Sequence, residues 1–370
     1  MVRNAVGGKR MTGKTTPRRF MALDGWRGIA APLIAMFHFH IDSPISTSLF
    51  VRHSWMLVDF FFVLSGFVIT HAYAGRLETA QSRVTFLKRR LARVWPLHVT
   101  MLGLFVLLEL YRYTTTGSGF TGDRSVFAIF TNLTLLQSMH FHDSLTWNTP
   151  SWAVSTEFYT YIVFALLLGA AASVGKRVFA AVFIVAASVA VLVFVSHYGM
   201  HETFDFGFFR CLYGFFFGLL TYEVWRRWPA RTGTAVEAAA LTVTVIYLIY
   251  APGHTTLEYL AVPVFAVVVL AFAGDGGAIS RLLRIAPIEK LGQWSYAIYL
   301  VQMFIITLIF SALDTSGSGL TRIGSDGSEM VVLNAPFLSS VLTLVYLGIV
   351  IAVGAAAWRF VEVPGHRIAR

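Results

Sequence analysis

Apolar positions in this chain come in long runs. They cover residues 26–41, 55–73, 94–113, 151–172, 178–196, 206–224, 235–250, 257–273, 294–312 and 336–358. Each run is close to the roughly 20 residues that carry a helix across the hydrocarbon core of a bilayer. Lipid offers no partner for a backbone amide, and none of the runs alternates as a barrel strand would, so the pattern predicts helices. The expected fold class is all-α: a polytopic membrane protein with about ten transmembrane helices. A weaker run, SVFAIFTNLTLLQSM over 125–139, is short and is interrupted by Asn132, Thr134 and Gln137. It reads as re-entrant or interfacial.

Composition excludes a soluble globular chain. Of the 370 residues 56% are hydrophobic and 13% charged, with a mean hydropathy of +0.67, whereas a soluble domain carries about a quarter charged residues. The net charge of +10 would suggest nucleic acid in a soluble protein, but here its distribution carries the information and no nucleic-acid partner is expected. If 125–139 does not cross, both termini are cytoplasmic and the inner segments hold 22 Lys and Arg against three in the outer loops, Arg52, Arg124 and Arg322. That is the positive-inside distribution of a membrane protein. Counting 125–139 as a span would move the later basic loops outside and spoil it.

The implied organisation is a basic cytoplasmic tail over 1–23, a transmembrane domain over 24–363 and a short cytoplasmic tail over 364–370. PRRFMAL superficially matches a twin-arginine export signal, but Asp24 and Arg27 interrupt the apolar stretch behind it, so the tail is read as fixing orientation. No long polar domain stands out. The Gly/Ser-rich stretch within 313–335 reads as a flexible cover and not as a folded unit. Cys211 is the single cysteine, which excludes an internal disulfide and a cysteine metal site. The paired histidines 38/40, 140/142 and 197/201 lack the further ligand of a zinc pattern, so no metal is expected. No nucleophile elbow or phosphate loop is present.

Ionisable groups inside membrane spans are costly and mark function by default. In DGWRGIAAPLIAMFHFH, Arg27 and His38 are eleven residues apart, which puts them on one helix face about 16 Å apart along the axis. Arg27 would lie near the cytoplasmic interface and His38 toward the outer half. Arg27 could instead snorkel or pair with Asp24, and His38 could be a satisfied structural residue; His40 is read as a helix-end residue pointing away. In FLKRRLARVWPLH, Arg90 and Arg93 sit at i and i+3 before Pro96 and would form a two-pronged phosphate clamp, or else a lipid anchor. Glu157 in NTPSWAVSTEFYTY would lie at a depth comparable with His38 and could orient it as a general base, or could simply hydrogen-bond a neighbour. Asp59 opens the second span, as a site residue or as a helix-start group facing the dipole.

These residues resemble the acyltransferase-3 family of integral membrane O-acyltransferases. Arg27 and His38 match its first-helix pattern of an Arg, ten residues and a His. FFVLSGF, the RLAR pair Arg90 and Arg93, and SWAVSTEF, with Trp152, Ser155 and Glu157, follow in the family's order, and SYAIYLVQ and RFVEVPGHR are similar to its late segments. Gln302 stands where many members have His, and Glu157 stands alone where many have an acidic pair.

The resemblance implies transfer of an acyl group, usually acetyl, from cytosolic acetyl-CoA to a hydroxyl of a cell-surface or lipid-linked carbohydrate. It implies acyl-CoA as co-substrate with no bound cofactor, and a multi-pass location in a bacterial cytoplasmic (inner) membrane, in contact with its lipids. His38 and Glu157 are the expected catalytic residues and Arg27, Arg90 and Arg93 the expected donor-binding ones, supported by Asp24, Asp59, Ser155 and Trp152. Some relatives carry an added extracellular domain; none is read here, so transfer is expected to finish within the membrane domain or through a partner. Two other readings stay open: a transporter or channel in which Arg27, His38 and Glu157 line a conduction path, and an O-acyltransferase acting on a macrolide-type small molecule.

Overall fold

The computed structural model describes residues 18–368 except 172, 230–231, 252, 254 and 325–327. Most of the basic tail, including Arg3, Lys9, Arg10 and Lys14, therefore lies outside the described residues. Ten principal helices occupy the ten apolar runs: α1 (Met21–His38), α2 (Leu57–Tyr73), α3 (Ala80–Thr116), α4 (Trp152–Ala170), α5 (Val174–Phe194), α6 (Gly207–Arg227), α7 (Thr234–Tyr250), α8 (Ala261–Phe272), α9 (Ala286–Thr315) and α10 (Pro336–Ala357). Six stretches, those containing α2, α3, α4, α5, α9 and α10, are long and apolar enough to cross a membrane by length and composition alone. α1 and α6 fall outside that set because each carries internal charge, and α7 and α8 are shorter apolar helices. The protein is a polytopic all-α membrane protein.

The weak run folds as a helix of only eight residues, Val126–Leu133, about 12 Å long and too short to cross. Buried polar contacts stitch it to its surroundings. Asn132 donates to Thr146 at 2.9 Å, its carbonyl meets His98 Nε2 at 2.9 Å, and Ser155 donates to the Leu135 carbonyl at 2.6 Å.

Three expectations about boundaries need correction. α1 starts at Met21, ahead of the apolar run that begins at residue 26, and its Ala22 amide donates to Asp275 Oδ1 at 2.9 Å. α3 is one continuous helix of 37 residues with Pro96 inside it, so Arg90 and Arg93 ride on the helix itself and do not precede it. The 313–335 segment is also partly folded. Strands β1 (Thr321–Ile323) and β2 (Glu329–Val331) pair antiparallel with Arg322 opposite Met330, and Val331 bridges in parallel to Ile41. Asp42 holds the far side, accepting from Ser339 at 2.6 Å and from the Leu333 and Asn334 amides at 3.1 and 2.8 Å. Burial favours the neutral carboxyl there, but these bonds outweigh it and hold Asp42 below its ordinary pKa.

Two tight helix contacts set the frame. α1 packs along α9, where Gly28 faces the Gly292 amide and Gly292 faces the Asp24 carbonyl. α2 packs along α6, where Gly66 faces the Phe215 carbonyl and Gly218 the Val63 carbonyl. Small residues let backbones approach where lipid supplies no hydrophobic drive for association. A Cβ at Gly66 would overlap the Phe215 backbone, whereas one at Gly103 would meet nothing within 4 Å. Gly66→Ala is expected to cost about 1 to 3 kcal/mol by overpacking, seen as a lower midpoint in detergent thermal unfolding, with Gly103→Ala close to wild type.

Candidate functional site

Two cavities enter the bundle from opposite ends. The inner one, about 270 Å³, is lined near its mouth by Arg18, Arg19, Asp24, Arg27, Arg90 and Arg93, and deeper by Glu157, Tyr161 and Ser295. The outer one, about 870 Å³, is lined by the end of α1 (Phe37–His40), the loop before α2, the loops before α4 and α6, and the β1–β2 hairpin. Val58 and Tyr299 line both. These two side chains mark a shared boundary, or septum, between the two spaces.

The inner arginines are held in place. Arg27 donates to Ser295 Oγ at 3.0 Å and lies 3.6 Å from Asp24, which also accepts from Arg19 at 2.6 Å. Ser295 comes from the SYAIYLVQ segment of α9, so the tight α1–α9 contact carries Arg27 to its partner. Arg90 lies over the Tyr73 and Phe86 rings at 5.4 and 5.7 Å and reaches the Tyr73 hydroxyl at 3.4 Å. Arg93 forms an ion pair with the buried Glu362, in the π-helical turn Trp358–Glu362 that follows α10, and lies over Tyr296 at 5.7 Å. The two arginines thus share the cavity but are not the equivalent prongs expected from their spacing: Arg93 is tied to a carboxylate supplied by the far end of the chain.

His38 is the last residue of α1 and faces the outer cavity. Its Nδ1 lies 2.8 Å from the Ile34 carbonyl. A carbonyl only accepts, so Nδ1 carries the proton and Nε2 keeps its lone pair, the arrangement of a general base. The expected pairing with Glu157 is not formed. Glu157 lies five residues into α4 and lines the inner cavity, whereas α1 ends at His38 and sets the imidazole in the outer one. His40 also lines the outer cavity instead of pointing away, because the chain leaves the helix at Phe39.

The supporting residues take specific places. Asp59 accepts from Arg210 Nε at 2.8 Å and Nη2 at 2.7 Å, both side chains being almost fully buried. The Arg210 guanidinium is sandwiched 5.1 Å from the Trp55 ring and 5.3 Å from Trp152. Trp152 is thus a wall of the outer cavity, and Ser155 anchors the interfacial segment. Gln302 is fully buried and lines neither cavity. Cys211 is buried and accepts from Thr160 at 3.3 Å. Among the described residues no group of three His, Cys, Asp or Glu converges as a metal site requires.

Sequence reasoning passed over Arg210, although an arginine inside GFFRCLYGFFFG carries the same signal as Arg27. Trp55 and His53 had no comparable signal, since each acquires its place only from packing, whereas Tyr299 stands within the family-like SYAIYLVQ segment.

A sequence profile described as an acyltransferase domain, Acyl_transf_3, matches residues 21–359. The chain belongs to the acyltransferase-3 family. Acyltransferase MdmB of Streptomyces mycarofaciens is 28% identical to it over 324 residues, covering 78% of this chain and 79% of that protein. Protein 2 in picA locus of Rhizobium radiobacter is 33% identical over 173 residues, 41% of this chain and 84% of that protein. No solved structure matches significantly. The two-cavity bundle is therefore that of a multi-pass membrane acyltransferase.

Removing one member of a buried ion pair strands its partner's charge, which typically costs about 3 to 5 kcal/mol. Asp59→Asn and Arg210→Met are each expected to lower the thermal midpoint in detergent sharply. The double variant should recover part of the loss, because it leaves no unpaired charge.

Proposed function

We propose that the protein is a membrane O-acyltransferase that takes an acyl group, acetyl in the first instance, from cytosolic acyl-CoA and gives it to a hydroxyl of a cell-surface or lipid-linked carbohydrate across a bacterial cytoplasmic membrane. The observation that carries this reading is the pair of opposed cavities meeting at Val58 and Tyr299, with cations at the inner mouth and a base-form histidine in the outer chamber. A phosphate-bearing donor suits the first and a hydroxyl acceptor the second.

In this reading Arg27, Arg90 and Arg93 receive the CoA phosphates, and the pantetheine arm passes through the inner cavity beside Glu157. Phe61, Phe62 and Val94 give that passage apolar walls. The thioester arrives at the septum, within the outer chamber's reach. His38 Nε2 takes the proton of the acceptor hydroxyl as its oxygen attacks the thioester carbonyl. The new C–O bond replaces the C–S bond, and the departing CoA thiolate receives the proton. Aromatic walls at Trp55, Trp152 and Tyr299, with a few convergent polar groups, suit a hydroxylated ring as acceptor. Glu157 acts on the donor side, lining its passage.

Purified protein incubated with radiolabelled acetyl-CoA and a crude glycan extract should consume thioester and label the extract. His38→Ala is expected to lower the rate about 100- to 10,000-fold while acyl-CoA binding stays near wild type. Arg27→Gln should mainly raise the KM for acyl-CoA. No thioester consumption by folded wild-type protein across varied acyl-CoAs would sink the reading and leave the two cavities as a conduction path.

A further inference from the structure

The outer cavity carries a charge pattern that transfer to a plain sugar hydroxyl does not require. Its described lining includes Arg52, Arg210 and the imidazoles of His38, His40, His53 and His201, and no aspartate or glutamate. Three nearby carboxylates among the described residues are engaged elsewhere. Asp59 holds Arg210, Glu258 meets His201 Nε2 at 3.1 Å and the Gly253 amide at 3.0 Å, and Asp42 is bound to Ser339 and the chain beyond the hairpin.

Arg52 differs from every other arginine lining either cavity. Arg18 is paired with Asp275, Arg19 and Arg27 with Asp24, Arg93 with Glu362 and Arg210 with Asp59, while Arg90 is stacked on Tyr73. The Arg52 guanidinium, exposed at the mouth, has no side-chain hydrogen bond, ion pair or ring contact among the described residues. It is also one of three Lys or Arg in the outer loops, where the general bias is against such residues. Beside it, His53 Nδ1 lies 2.8 Å from the Leu248 carbonyl, so its proton is used there and Nε2 is left as an acceptor for a hydroxyl.

We propose that Arg52 is the anion-recognising residue of the acceptor chamber, and that the acceptor bears a carboxylate or phosphate on the same molecule as the hydroxyl that is acylated. This rests on reading the outer cavity as the acceptor chamber. The anion sits at the cavity mouth on Arg52, the one cavity-lining guanidinium without a side-chain partner among the described residues, which turns the ring inward along the aromatic walls and presents a hydroxyl to His38. A neutral sugar reaches the same chamber without that anchor.

A pair of alkylating probes of similar size and different charge tests this without knowledge of the acceptor. Iodoacetate and iodoacetamide both alkylate an imidazole nitrogen with loss of iodide, and the modified His38 is quantified by peptide mass spectrometry. The ratio of the iodoacetate rate to the iodoacetamide rate at His38 should be about tenfold higher in wild type than in Arg52→Gln, with Arg52→Lys keeping most of the preference. D-Glucuronate or glucose 6-phosphate should protect His38 from iodoacetate at concentrations where glucose does not, and whichever protects better identifies a carboxylate or a phosphate.

An unchanged ratio in Arg52→Gln, equal protection by glucose, or no labelling of His38 by either reagent would overturn the proposal. So would a preference that exists only in vesicles containing phosphatidylglycerol, because the anion on Arg52 would then be a lipid headgroup. The labelling needs no turnover. A chain that consumes no acyl-CoA yet shows the Arg52-dependent ratio would refute the acyltransfer reaction and leave the anion site standing; the opposite pattern would do the reverse.

Discussion

A charge inside a bilayer has to be paired, stacked or opened to water, and that constraint organises this bundle. Arg210 meets it in full, with a two-point bond to Asp59 and an indole on either side. The pair ties α2 to α6 at the outer end of the molecule, above the close backbone approach at Gly66 and Gly218. In the process it fixes Trp55 and Trp152 as walls of the outer cavity. The inner arginines meet the same constraint by facing a cavity and taking Asp24, Glu362, Ser295 or an aromatic ring as partner. Functional spaces and stabilising contacts are therefore made by the same residues.

The consequence is a division of labour along one helix. α1 carries Arg27 into the inner cavity and His38 into the outer one, and α9 runs beside it in backbone contact. α9 contributes Ser295 to Arg27 and Tyr299 to the septum, where the Tyr299 hydroxyl donates to the Pro150 carbonyl at 2.9 Å. This pair of helices thus sets the spacing between the inner arginine and His38. Under the proposed function, this suits two substrates that approach from opposite ends of the bundle and meet near Val58 and Tyr299. The loop before α4 and the β1–β2 hairpin complete the outer chamber without crossing the bilayer.

Much of this was legible in the sequence. The ten apolar runs became ten helices because membrane spans satisfy their backbone bonds locally, so their positions follow from composition alone. The short length and polar content of 125–139 decided that it does not cross. Arg27 and His38 shared a face and differed in depth as the helical repeat requires, since both lie on one continuous element. The family was legible for a related reason: its motifs are local strings, and they stand in order along the chain.

Relations between distant segments were decided only by the tertiary structure. Glu157 and His38 have similar sequence-counted depths, yet they face different cavities, because the end point of α1 and the rotation of α4 are set by their neighbours. Arg93 acquired Glu362 and Asp59 acquired Arg210 across 269 and 151 positions of chain. No periodicity reports such pairings. The standing of Arg52 is of the same kind, since its lack of a side-chain partner among the described residues is visible only once those residues are placed. Sequence alone determined which segments enter the membrane and which charges they bring, because both follow from local solvation. Packing decided where those charges meet, because that depends on helix rotation and contact over the whole bundle.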